Sequence, residues 1–100
     1  MLVDIEYEND DLEKLECNTT FDGGFERGAI KAFRKRIQLI RSAIDERDFY
    51  ALKSLHFEKL KGNRAGSYSM RLNAQWRLII KFRSEKTGKI VVVIDIEDYH

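Results

Sequence analysis

The chain closes on Asp98-Tyr99-His100, a carboxylate, a phenol and an imidazole in succession. Histidine titrates near neutrality, so it can donate or accept a proton at cellular pH. These residues follow, after Asp95-Ile96-Glu97, the longest apolar run, Ile90-Val91-Val92-Val93-Ile94. Their backbone is therefore anchored on its N-terminal side, where a chain end is otherwise frayed. Upstream, Lys59, Lys61, Arg64, Arg71, Arg77, Lys81 and Arg83 place seven cations within 25 residues. Cutting RNA without a metal needs few parts. A base takes the proton of the 2′-hydroxyl, cations stabilise the developing phosphorane, and an acid protonates the leaving 5′-oxygen. Tyrosine, histidine, arginine and lysine together supply these parts.

The overall charge conceals this chemistry. The chain has 100 residues, 35% of them charged, and a net charge of +1. Residues 1–25 carry a net −7, residues 26–89 a net +11 and residues 90–100 a net −3. The middle block suits a polyanionic partner. The acidic N-terminal segment either folds over the basic region or keeps the chain soluble. The length fits one domain over residues 1–100. No apolar run approaches the roughly 18 residues of a membrane helix, and the acidic start is not a targeting peptide, so a cytoplasmic protein is expected. Cys17 is the single cysteine, which excludes an internal disulfide. One cysteine and two histidines fall short of a structural zinc site, and no cofactor is expected.

The elements that must position these residues are legible from their periods. Residues 1–7 suggest a short edge strand. Asp10 or Asp11 is placed to cap a short helix through Leu12, Leu15 and Glu16. From Phe25 to Ile44, Ile30, Phe33, Ile37, Ile40 and Ile44 recur at helical spacing and define a core-facing stripe. The other faces of that helix carry Arg27, Lys31, Arg34, Lys35, Arg36 and Arg41. That basic surface is solvated, meets RNA phosphates or meets an acidic protein. A shorter helix through Phe49, Leu52 and Leu55 follows. From residue 57 the period becomes that of strands. Tyr68, Met70 and Leu72 alternate with polar residues, and Trp76, Leu78, Ile80 and Phe82 alternate with Arg77, Ile79, Lys81 and Arg83. Residues 84–88 form a hairpin loop, and residues 90–96 a central strand. The order predicts an α+β fold, an antiparallel sheet with the N-terminal helices packed on one face. Trp76 belongs to the core or stacks on a base.

The block from Leu60 to Leu78 reads as a leucine-lysine-glycine turn, a strand, an Asn73 turn and the aromatic-arginine pair Trp76-Arg77. Together with the Asp98-Tyr99-His100 end, it resembles the HigB toxins of the RelE/ParE superfamily over roughly residues 57–100. The helical half resembles them in length and amphipathic character only. The resemblance implies a RelE-like fold and a ribosome-dependent mRNA endonuclease of a type II toxin–antitoxin pair. Such toxins cut the message in the decoding site without a metal. It also implies a HigA-type helix-turn-helix antitoxin as partner. By the same match, Lys61 and Arg77 bind the scissile phosphate, Tyr99 and His100 position and transfer protons, and Asp98 orients His100 or the RNA. Base and acid remain unassigned between Tyr99 and His100. Lys59, Arg64, Arg71, Lys81 and Arg83 are the candidate RNA-binding residues.

One position departs from the pattern. Some HigB toxins carry a histidine three residues before the turn lysine, where this chain has Glu58. His56 lies two residues earlier, on the same face if the segment is extended. Glu58 acts as base, His56 substitutes for it, or neither acts. Two other functions use the same scaffold: a ParE-like inhibitor of DNA gyrase, and an RNA- or protein-binding module without catalysis.

Overall fold

The computed structural model describes residues 2–98, with the side chain of Val3 left aside. Strand β1 (Leu2–Tyr7) leads into helices α1 (Asp10–Cys17), α2 (Arg27–Ser42) and α3 (Arg47–Ala51). A 3-10 turn (Lys53–Leu55) and strand β2 (Glu58–Lys59) follow. A second 3-10 turn (Gly62–Arg64) then precedes β3 (Ser67–Arg71), β4 (Trp76–Glu85) and β5 (Gly88–Asp98). The five strands form one sheet in the order β1-β5-β4-β3-β2. The α+β architecture expected from the sequence is the one observed. Strands β2 to β5 pair antiparallel, whereas β1 joins β5 in parallel. No helix among the described residues is long and apolar enough to cross a membrane.

The cap of α1 differs from expectation. Asn9 caps it, its side-chain oxygen accepting from the Leu12 N–H at 3.1 Å. Asp10 and Asp11 instead lie in the first turn, where carboxylates suit the positive end of the helix dipole. Helix α2 buries Ala29, Ile30, Phe33, Ile37 and Ile40, as its spacing predicts. It ends two residues early for Ile44, which is 71% exposed rather than in the core. The backbone leaves the helix at Ala43, which is extended. The Ile44 carbonyl accepts from the Leu2 N–H at 2.8 Å, and its own N–H donates to Asp48 at 3.0 Å. Those two bonds draw Ile44 to the sheet edge.

The core lies between the helices and one face of the sheet. Phe33, Ile37, Phe49 and Leu15 pack against Met70, Leu78, Ile80, Val91 and Val93. Burying each such side chain fully contributes about 1.5–3 kcal/mol. The opposite sheet face is left open, and a bulge in β5 decides which residues reach it. Ile80 pairs with Val93 but Ile79 pairs with Asp95, so Ile94 is an extra residue. The parity of β5 reverses there. Val91, Val93 and then Ile96 face the core, and Glu97 arrives opposite Arg77 on the open face. The β4–β5 hairpin is tighter than expected, because β4 runs on to Glu85 and only Lys86 and Thr87 lie between the strands.

Candidate functional site

Arg77 lies in the second position of β4, opposite Arg71 of β3 and Glu97 of β5. Strand alternation turns it away from Trp76 and Leu78 and onto the open face. Its side chain is nevertheless only 12% exposed. Nη1 donates to the Ser69 hydroxyl at 3.1 Å and to the His56 carbonyl at 3.4 Å, and lies 3.7 Å from a Glu58 carboxylate oxygen. Ser69 is itself buried and carries no charge, so it fixes direction without neutralising the guanidinium. Glu58 is largely exposed, and its long contact can be exchanged for another anion at small cost.

Two hollows meet at Arg77. The first, about 120 Å³, is lined by Glu58, Leu60, Arg64, Ser69, Arg77, Ile79, Glu97 and Asp98. Its carboxylates outnumber its cations. Arg64 makes a two-pronged ion pair with Glu97, which raises the pKa of the guanidinium further by hydrogen bonding. Asp98 accepts from the Gln75 amide at 3.3 Å. The second hollow, about 270 Å³, is lined by His56, Arg71, Asn73, Ala74 and Arg77 and contains no acid. Arg71 is steadied there by donating from Nε to the Asn73 carbonyl at 3.2 Å. Arg77 thus separates an acid-rich hollow from a basic one. An anion is favoured on the Arg71 side, and proton-accepting groups sit on the Glu58 and Asp98 side.

The structure therefore brings Arg77, Glu58, Arg64, Arg71, Asp98 and the His56 backbone together. His56 has φ 47°, the left-handed region, at the end of the 3-10 turn. It is thus not in a strand, and its carbonyl oxygen accepts from Arg77. Lys59 lies on β2 opposite Tyr68, and Lys61 precedes the second 3-10 turn; neither lines the two hollows. Tyr99 and His100 lie outside the described residues. Lys81 and Arg83 are on the open face but further along β4, and the acidic N-terminal segment has found them. Lys81 pairs with Glu8 at 3.2 Å, and Arg83 pairs with Glu6 at 2.6 Å and Glu85 at 3.1 Å. Hydrogen bonds with Glu6 and then Glu85 raise the Arg83 pKa.

Trp76 sits on the helix side, in edge-to-face contact with Phe25 at 5.6 Å, with its indole N–H donating to Glu26 at 3.1 Å. The residue type of Ser69 does not mark it as part of the site. Its signal is the strand period, which puts it on the same side of β3 as Arg71. Among the described residues, no group of three or more His, Cys, Asp or Glu side chains is placed to hold a metal ion.

Comparison with known proteins adds the family. The profile of the HigB-like toxins, described as the RelE-like toxin of the type II toxin–antitoxin system HigB, matches residues 5–100. No curated protein matches the chain in sequence. Among solved structures, the fold is similar to the YoeB/ParE toxin from Agrobacterium tumefaciens, with TM-score 0.61 and 18% identity over 98% of this chain and 100% of that one. It is also similar to YafQ from E. coli strain BL21(DE3), with TM-score 0.59 and 14% identity over 94% and 90%. The YoeB–YefM complex from Staphylococcus aureus gives TM-score 0.53 and 19% identity over 96% and 94%. At these identities the structural likeness speaks for the fold, and the profile match over nearly the whole sequence speaks for the family: the chain belongs to the HigB-like toxins, RelE-like toxins of type II toxin–antitoxin systems.

Proposed function

We propose that this toxin, acting as one domain, is a ribosome-dependent mRNA endonuclease that works without a metal and is neutralised by a HigA-type helix-turn-helix antitoxin. The observation that carries the reading is the fixed Arg77 guanidinium between a basic and an acid-rich hollow. In this reading the scissile phosphate enters the Arg71 side, where Arg71 and Arg77 both meet it. Arg71 and Arg77 stabilise the charge that develops on the phosphorane, and Lys61 and Arg64 support the strand. The 2′-oxygen attacks phosphorus as its proton passes to a base. The bond from phosphorus to the 5′-oxygen breaks, and that oxygen takes a proton from an acid. A 2′,3′-cyclic phosphate and a 5′-hydroxyl result. Tyr99 and His100 carry the two proton transfers, with Glu58 beside Arg77 as a further candidate base, and Asp98 orients His100 or the RNA. His56, which also lines the Arg71 hollow, is the alternative to Glu58 as base.

The test is growth and message integrity on induced expression. The expected result is growth arrest with new 5′ ends inside translated messages, relieved by co-expressing a helix-turn-helix protein from the neighbouring reading frame. Removal of residues 98–100 should abolish both the cuts and the arrest. Arrest with intact messages and inhibited gyrase supercoiling would replace this reading with the gyrase one. Arrest that survives the truncation would favour binding alone.

A further inference from the structure

We infer that the RNA strand continues from the Arg77 site over the β3–β4 turn onto α2, where Gly28, Lys31, Lys35 and Arg36 form a second phosphate-binding subsite. The inference rests on the endonuclease reading and extends it to how much of the message the protein grips. A hollow of about 370 Å³ is lined by Gly28, Lys31, Ala32, Lys35, Arg36 and Leu72. It contains three cations and no acid. Lys31 and Lys35 are one helical turn apart, so they are neighbours that repel each other unless an anion lies between them. Neither makes an ion pair among the described residues.

Arg36 gives the independent sign of a missing anion. Its side chain is half-buried, and Nη2 reaches only the Leu72 carbonyl, at 3.4 Å. Its Nε is buried without an acceptor. A guanidinium so poorly supplied with acceptors is readily drawn toward a phosphate. Gly28 gives a second sign. Glycine is the weakest helix former after proline, yet neither packing nor backbone geometry requires it here. A Cβ would meet nothing within 4 Å, and Gly28 is not among the residues with positive φ. What its missing side chain leaves is an open floor beside Lys31, which lets another backbone approach the helix.

The hollow and the site already described border one and the same turn. Leu72 lines the α2 hollow, and the next residues of the same turn, Asn73 and Ala74, line the hollow shared by Arg71 and Arg77. A single strand crossing that turn would meet Arg77, Arg71, Arg36, Lys35 and Lys31 in order. An acidic peptide fits less well. The α2 hollow offers only Ala32 and the buried Leu72 as apolar anchors, whereas a phosphate backbone needs the cations alone.

The experiment measures fluorescence anisotropy with 2′-O-methyl oligoribonucleotides, which lack the attacking hydroxyl, as a tetranucleotide and a dodecanucleotide. The full chain and three variants are compared: Lys31→Ala/Lys35→Ala, Gly28→Ala and Arg77→Gln. The dodecanucleotide should bind tighter than the tetranucleotide. The double lysine variant should weaken only the dodecanucleotide, about tenfold, and flatten its salt dependence by about 1.4 in slope, near 0.7 per lost phosphate contact. Gly28→Ala should melt no lower than the parent and still weaken the dodecanucleotide. Arg77→Gln should weaken both lengths; if the parent protein makes no codon-positioned cuts on programmed ribosomes, the endonuclease reading itself fails. If the α2 variants change neither length, or both equally, the subsite is refuted while that reading stands. Binding of polyglutamate, lost in the lysine variant with dodecanucleotide binding intact, would also refute it in favour of a protein partner.

Discussion

Replacing Ser69 by alanine removes one oxygen and leaves the backbone of β3 in place. That hydroxyl is 3.1 Å from Arg77 Nη1 and is buried. A hydrogen bond from a charged donor is worth about 1.5–3 kcal/mol. The lower end applies, because Nη1 keeps the His56 carbonyl at 3.4 Å and Glu58 at 3.7 Å, both longer contacts. About 1.5 kcal/mol of lost orientation in the transition state is roughly a tenfold slower cut. The assay is single-turnover cleavage of a defined message on programmed ribosomes. Urea unfolding of the same protein should show a loss of no more than about 1.5 kcal/mol, since alanine is smaller and apolar. Combined with Arg77→Ala, the substitution should cost nothing further, because the two act through one contact. Cleavage at the parent rate would refute the positioning role. A full additive loss in the double variant would show that Ser69 acts elsewhere.

Further outcomes follow from other contacts. Burial works to raise the pKa of Glu16, but hydrogen bonds from Arg41 and Tyr7 outweigh it and hold the carboxyl below its ordinary 4.5. A depressed pKa contributes stability above the unfolded value that is lost as pH falls through the folded one. Thermal melts should therefore decline below about pH 4.5, and Glu16→Gln should flatten that decline and lower the neutral-pH melting point. Phe33→Ala, at a fully buried position, should cost about 3–5 kcal/mol in urea unfolding, enough to unfold much of the protein if its total stability is near the low end of about 5–15 kcal/mol. Glu6→Gln breaks an exposed pair with Arg83, so its small effect on the urea midpoint should vanish at high salt.

The parts of this fold that were legible in the sequence are those with a sustained period. The stripe from Ile30 to Ile40 gave α2, and the alternation through residues 67–83 gave β3, β4 and the open-face placement of Arg77. The end of α2 was not legible, because Ile44 keeps the helical spacing while tertiary bonds to Leu2 and Asp48 pull it out. Strand β2 is two residues long, too short to show any period. The bulge at Ile94 hides inside an unbroken apolar run, so the turn of Glu97 toward Arg77 could not be read. Pairing of Lys81 and Arg83 with Glu8 and Glu6 depends on β1 joining β5 across most of the chain. An acidic first quarter announces the charge but not its partners. The cluster around Arg77 was half legible. Its cations and Glu58 stand out by type, whereas Ser69 and the His56 carbonyl contribute through geometry that residue type does not signal.

In the proposed reaction, Arg77 stabilises the charge developing on a scissile phosphate. The most direct measurement is the single-turnover cleavage rate of Arg77→Ala on ribosomes carrying a defined message, with ribosome binding measured alongside. The parent protein should make codon-positioned cuts, and the variant should cut about 10²–10³-fold more slowly with ribosome binding retained. Equal rates for the two proteins, or no cuts by either, would contradict this role of Arg77.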